Sequence, residues 1–273
     1  MLGRALMHCF ASQDATGLAY SRTGPHLTQL DLRDEAATTS LVRQIHPKVI
    51  IHTAAERRPD ISEQDPNATL ALNVRATAHL AQLAAELGSW ILYVSTDYVF
   101  DGTHPPYGPR DTPNPLNFYG RTKLEGERAL QVAAREWSIL RAGVLYGDVE
   151  SLDESAVTAV VNDVRSDKPR KVDHWAHRYP TRVDDLALVI RDMADRRLQG
   201  IYHWCGSECL TKYEMALIMG EILNVPTAHL TPDPNPPAGA PRPQDCRLDT
   251  SALTTVGISH QTPFREALKR ILL

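Results

Sequence analysis

Apolar runs alternate with amphipathic stretches along most of this chain. Short runs rich in β-branched and aromatic residues have the length of buried strands: Thr16 to Tyr20, Val49 to His52, Trp90 to Val94, Trp137 to Arg141 and Gly200 to Trp204. Between them the spacing of apolar positions turns helical. It predicts helices over 36–45, which Pro47 ends, over 65–87, opened by Asp65-Pro66 and stopped by Gly88, and from Tyr119 through TKLEGERALQVAA. Further helices are predicted over 183–193, over 211–223 with Thr211 and Glu214 as a capping box, and over 263–273. The opening MLGRALMHCFAS also reads as helix. Strand and helix alternating without hairpin signals predict an α/β fold with a parallel, doubly wound sheet. From Asp148 the elements shorten and loops multiply, which suits a small lobe over the C-terminal edge of the sheet. Residues 1–147 are therefore expected to form the sheet domain and residues 148–273 mainly the lobe, with some segments returning to the sheet. Thr231 to Pro243, which holds most of a proline-rich run, is expected to be an extended loop.

The chemistry concentrates where the Trp90 strand runs out. Ser95-Thr96 place two hydroxyls there, and beyond a Pro- and Gly-rich loop Tyr119 and Lys123 stand four apart on a predicted helix, so both project from one face. A phenol has an ordinary pKa of ~10, and a cation held nearby lowers it. Thr96 would hold a substrate carbonyl oxygen while Tyr119 gives or takes its proton and Lys123 steadies the phenolate, the general-acid arrangement for adding hydride to a ketone. The same Tyr/Lys spacing arises on ordinary amphipathic helices, so the strand-end hydroxyls ahead of it carry the reading. Glu56 to Asp60 reads as a charged loop. Asp173 to Thr181 is rich in stacking and hydrogen-bonding groups, His174 and Trp175 among them, and suits a ligand-facing loop; Arg242 can clamp a diphosphate or lie on the surface.

Composition narrows the partners. A net charge of -4, with both signs mixed along the chain, leaves no basic stripe for nucleic acid and no polybasic membrane patch. A small ligand or a protein partner is expected instead. The four cysteines are few for 273 residues and read as reduced thiols of a cytoplasmic protein. Cys205 and Cys209 lack a second pair, and His174 and His177 lack a third ligand, so no metal site is expected. No secretory signal and no apolar run near ~18 residues is read.

The strand-end STD followed by NPLNFYGRTK resembles the extended short-chain dehydrogenase/reductase superfamily, and within it the dTDP-4-dehydrorhamnose reductase branch. A resemblance running almost end to end is nearer. TAAERRPD (53–60), DYVFDGTHPPY (97–107), YGRTKLEGE (119–127), LYGDVESLDESAVT (145–158), DHW (173–175) and TKYEMA (211–216) are similar to the methionine adenosyltransferase regulatory beta-subunit family. That resemblance implies a Rossmann-like fold that binds NADP. It implies Gly3 as the last glycine of the phosphate turn, so the first strand and most of the phosphate cradle are expected to be missing from this sequence. It also implies Asp31 and Leu32 beside the adenine, Ala54 and Ala55 near the nicotinamide ribose and phosphate, and Asn73 bracing the catalytic strand end. Ser95, Tyr119 and Lys123 would meet the cofactor, and Asp97 would face the substrate. Arg22, at the end of the strand that reads the adenosine ribose, argues for NADP or is a solvated turn residue.

Three functions remain open on these residues. The first is a non-catalytic subunit that binds the catalytic chain of methionine adenosyltransferase. The second is an NADPH-dependent reductase of a 4-keto sugar nucleotide working through Thr96, Tyr119 and Lys123. The third is a scaffold that binds no nucleotide.

Overall fold

The computed structural model describes residues 1–24 and 26–273. Helix α1 (Leu2–Cys9) leads into β1 (Gly17–Ala19), β2 (Leu27–Gln29), α2 (Glu35–Ile45) and β3 (Val49–His52). Next come α3 (Pro59–Gln64), α4 (Pro66–Leu70), a π-helical turn (Ala71–Arg75) and α5 (Ala76–Leu87). Strand β4 (Trp90–Thr96), α6 (Phe118–Ala133) and β5 (Glu136–Ala142) follow. The second half holds β6 (Leu145–Tyr146), α7 (Val160–Val164), β7 (Arg170–Asp173), β8 (Thr181–Arg182), α8 (Val183–Asp195) and β9 (Gly200–Trp204). It ends with α9 (Lys212–Leu223), β10 (Leu230–Asp233), α10 (Ser251–Thr255) and α11 (Phe264–Leu272).

The main sheet runs β3-β4-β5-β9, every pair parallel. Its two faces follow from the period-2 alternation of strand side chains. On β4, Trp90, Leu92 and Val94 turn to one side, where Leu2, Ala5 and Leu6 of α1 and Leu186, Val189 and Ile190 of α8 meet them. Ile91 and Tyr93 turn to the other, against Val42 of α2, Leu80, Leu83 and Ala84 of α5 and Leu130 of α6. Helices thus cover both faces, as the α/β reading expected. All seven residues of β4 are buried, which accounts for its unbroken apolar run. Strands β1 and β2 pair parallel in a separate two-stranded sheet. Another core gathers Tyr146, Val160, Val161, Val172, Met215, Met219, Leu230, Phe264 and Leu268 from the second half.

Local chemistry sets the helix ends. Asp34 accepts the Ala37 amide at 2.9 Å to start α2, and Asn117 accepts the Gly120 amide at 2.8 Å to start α6. The capping box expected of Thr211 and Glu214 opens α9. Three segments differ from expectation. The helix expected over 65–87 is interrupted by the π turn, whose Asn73 side chain bonds outside the helix to the Glu56 backbone and Thr122. The charged loop at 56–60 gives way to α3 at Pro59, because proline suits a first helical position. The loop expected from Thr231 begins as strand: β10 pairs parallel with β7, and an edge position tolerates Pro232, which has no amide to donate.

Candidate functional site

The site gathers at the C-terminal end of β4. Thr96 is the last residue of that strand, 5% exposed; its hydroxyl donates to Asp97 Oδ1 at 3.0 Å and accepts the Tyr98 amide at 3.2 Å, capping a short 3-10 turn. Helix α6 begins against this turn. A Cβ at Gly120 would collide with the Tyr98 carbonyl, so glycine permits the approach that brings Tyr119 to the strand end. The Tyr119 ring meets Tyr98 edge-on, centroids 6.1 Å apart. Burial raises its phenol well above the ordinary value, and the Thr96 hydroxyl works the other way.

Lys123 lies one turn further on and is 2% exposed. Its Nζ donates to the Val94 carbonyl at 2.7 Å and sits 3.9 Å from the centroid of the Tyr93 ring. Burial pulls the ammonium down to about 7, with Glu127 opposing. Burial at the Tyr119 phenol is offset first by the Thr96 hydroxyl and then by the Arg57 charge, whereas the Lys123 ammonium is directed at the strand carbonyl. Asp97 is half-buried, and desolvation pushes its carboxyl up to about 7 despite the bond from Thr96. Ser95 donates to Glu127 Oε1 at 2.5 Å. Glu127 in turn accepts from two of the three Arg141 nitrogens, Nε at 3.0 Å and Nη2 at 2.7 Å, in a pair only 2–3% exposed. Sequence reading missed this pair, because α6 and β5 supply one partner each and neither pattern marks it.

On the β1 side, an open hollow of about 460 Å³ is lined by Tyr20, Ser21, Gln29, Leu30, Asp31, Asp34 and Ala37. Asp31 faces it while holding Arg33, with Nη2 to Oδ2 at 2.7 Å, which keeps the carboxyl below its usual range. Leu32 turns instead into the core beside α2 and α5. Gly3 lies exposed on α1, with open space where a Cβ would stand. Ala54 and Ala55 are half-buried in the loop after β3. Asn73 ties that loop to α6: its Oδ1 accepts the Glu56 amide at 2.8 Å and its Nδ2 donates to the Glu56 carbonyl at 3.0 Å and to Thr122 Oγ1 at 3.1 Å. Arg22 pairs with Glu150, and its Nη2 lies 3.6 Å from Glu154, where the Met1 amino group also reaches at 3.0 Å.

The lobe side is strapped across. Arg242 Nη2 donates to Asp60 Oδ2 of α3 at 2.5 Å, and the Ala240 amide donates to Asp60 Oδ1 at 2.8 Å. Asn117 Nδ2 holds the Pro241 carbonyl at 2.8 Å. Residues 238–242 are thereby fixed to the starts of α3 and α6. The Trp175 amide is held by Asp173, which also pairs with Arg178 at 2.7 Å. His174 stands apart, exposed, sharing a hydrogen bond with Thr211 at 2.9 Å. Two cations that sequence reading did not single out, Arg178 and Lys212, are the local surprise. Both arginines, Arg178 and Arg242, oppose the charge on the half-buried Lys212 and oppose burial at the Tyr98 phenol, while each is itself paired, with Asp173 and Asp60.

Hydroxyl, phenol and amine at the C-terminal end of a parallel strand, in a sheet covered by helices on both faces, define a Rossmann-like protein of the reductase kind. The pattern of the RmlD substrate binding domain family matches residues 1–273, and the chain belongs to that family. It is 48% identical over 281 residues to methionine adenosyltransferase 2 subunit beta of Xenopus tropicalis, covering 100% of this chain and 84% of that protein. Among solved structures, a dTDP-4-dehydrorhamnose reductase from Clostridium acetobutylicum superposes with a TM-score of 0.86 at 26% identity, covering 99% of this chain and 94% of its own. A dTDP-4-dehydrorhamnose reductase from Bacillus anthracis, solved in complex with NADP, gives 0.82 at 25% identity, covering 90% and 88%. Both resemblances carried by the motifs, to the reductase branch and to the beta-subunit family, are borne out.

Proposed function

We propose that this chain is a regulatory, non-catalytic subunit of a methionine adenosyltransferase, built on a reductase-like fold that binds NADP. The observation that carries this reading is the 48% identity to a beta subunit along the whole chain. Its partner is then the catalytic chain of that synthetase and its setting the cytoplasm, to which four free cysteines and the lack, among the described residues, of a helix long and apolar enough to cross a membrane lend support. Mixing the two purified chains is expected to give a complex on size exclusion and a changed KM for methionine. Absence of association at micromolar concentrations rejects the reading.

The residues fit NADP on the geometry of this chain. The hollow beside Tyr20, Ser21 and Asp31 suits the adenosine, Arg22, next in the chain after Ser21, is the cation available to a 2′-phosphate, and the open space over Gly3 leaves the first turn of α1 accessible to the phosphates. Ala54, Ala55 and Ser95 follow along the sheet edge toward Tyr119. Residues 1–147 would thus seat the nucleotide and residues 148–273 mainly cover it. When bound, NADP supplies or accepts a hydride. The chain's own contribution is to orient the nicotinamide at the end of β4 and to hold a proton on Tyr119 within reach of the Thr96 hydroxyl.

A second reading, an NADPH-dependent reductase of a 4-keto sugar nucleotide, is favoured by the retention of Thr96, Tyr119 and Lys123 around one strand end. NADPH oxidation with a dTDP-4-keto sugar tests it. Tyr119→Phe is expected to cut kcat at least about a hundredfold by removing the proton donor; turnover that survives this change rejects a role for Tyr119.

A further inference from the structure

We propose that Glu150 and Glu154 set how tightly the dinucleotide binds, and how strongly a 2′-phosphate is preferred, by occupying the arginines that the phosphates need. The inference rests on the NADP reading above. Glu154 lies just beyond β6, its side chain 20% exposed. Arg4 of α1 grips it with two nitrogens, Nη1 to Oε1 at 2.8 Å and Nη2 to Oε2 at 2.7 Å. The Glu150 amide donates to Oε2 at 3.1 Å, and the Glu154 carbonyl accepts Arg57 Nη2 at 2.8 Å. The Glu150 carboxylate pairs with Arg22 and lies 3.3 Å from Arg4 Nη1. Arginines from α1, from the turn after β1 and from the loop after β3 therefore converge on one acidic segment.

That convergence sits where a doubly wound sheet receives a dinucleotide. Pyrophosphate lies at the start of a helix on the sheet's C-terminal edge, and the residue ending the neighbouring strand reads the ribose. Here each of those positions is an arginine already paired with a carboxylate of the same chain. The ligand must exchange an internal ion pair for its own, so its affinity is the difference between two similar sets of contacts. The two carboxylates act differently. Glu150 holds Arg22 and reaches Arg4 at 3.3 Å, so it opposes the 2′-phosphate most and the shared phosphates less. Glu154 grips Arg4 with two bonds and lies 3.6 Å from Arg22, so it opposes chiefly the phosphates common to NADP and NAD.

The test is calorimetric titration of NADP and NAD into the wild-type chain, Glu150→Gln and Glu154→Gln, each checked for an unchanged unfolding profile. Glu150→Gln is expected to lower the NADP Kd about two- to fivefold and the NAD Kd by less, since its exposed ion pairs reach Arg22 and, at 3.3 Å, Arg4. Glu154→Gln is expected to tighten both. Hydrogen exchange on the nucleotide-free chain gives a separate readout: both variants are expected to speed exchange across 148–155. If the wild type binds NADP and both variants bind it equally or more weakly, the inference falls and the cofactor reading stands. If no variant binds either nucleotide, both fall. Should Glu154→Gln fail to fold, the exposed Glu150→Gln decides on its own.

Discussion

At Lys123 burial works against the charge, and the result is measurable as a pH dependence. The folded ammonium titrates at about 7 against an ordinary 10.5. Between those values the unfolded chain holds a proton that the folded chain has lost, so stability rises with pH through that window and gains no slope from this group below it. Lys123→Met removes the effect. From pH 7 to 9.5 the wild type is expected to gain about 3 kcal/mol relative to the variant in urea titrations; parallel curves would overturn the assignment. The residue types at 96, 119 and 123 were legible because one strand end and one helical turn bring them together. The ammonium's actual direction was not, since it depends on the Val94 carbonyl and the Tyr93 ring, and a strand's sequence does not say which groups its end exposes.

Two glycines separate packing from access at the scale of elements. A Cβ at Gly126 would stand 2.6 Å from both the Asn73 carbonyl oxygen and Tyr93 Oη, so α6 approaches the π turn only because that side chain is missing. Gly126→Ala is expected to cost about 2 kcal/mol in denaturant unfolding. A Cβ at Gly3 meets nothing, so Gly3→Ala is expected to stabilise α1 by up to about 1 kcal/mol while weakening NADP binding. Equal NADP affinity in that variant would place the phosphates elsewhere. Strong periodicity made β3, β4, β5 and β9 and the helices over them readable. Strands β7 and β10 escaped because RKVD and LTPD are short, charged or proline-bearing edge segments with no apolar alternation. The π turn escaped because its cause is tertiary: Asn73 is committed to a loop and a helix far along the chain. The arginine–glutamate convergence escaped for the same reason, its partners lying between 97 and 150 positions apart.

The molecule as a whole is held by cores that answer to different segments. One face of the sheet draws on α1 and α8, the other on α2, α5 and α6, and the second-half core draws on α7, α9 and α11. Phe264, 2% exposed and edge-on to Tyr146 at 5.2 Å, belongs to the last of these. Phe264→Ala is expected to cost about 3–5 kcal/mol. Hydrogen exchange should locate the loss, speeding α7 and α9 while β4 and β5 stay protected. Uniform loss across the chain would mean that the cores open as one unit.

The pairing of β10 with β7 spans about sixty positions, and Phe264, Ala267 and Leu268 of α11 seal the same core later still. During synthesis all four strands of the main sheet, up to Trp204, are made before those sealing pieces exist. A nascent chain at that stage carries a completed platform and an open flank, and Met215 and Met219, as they emerge, stay available to chaperones until α11 arrives to cover them.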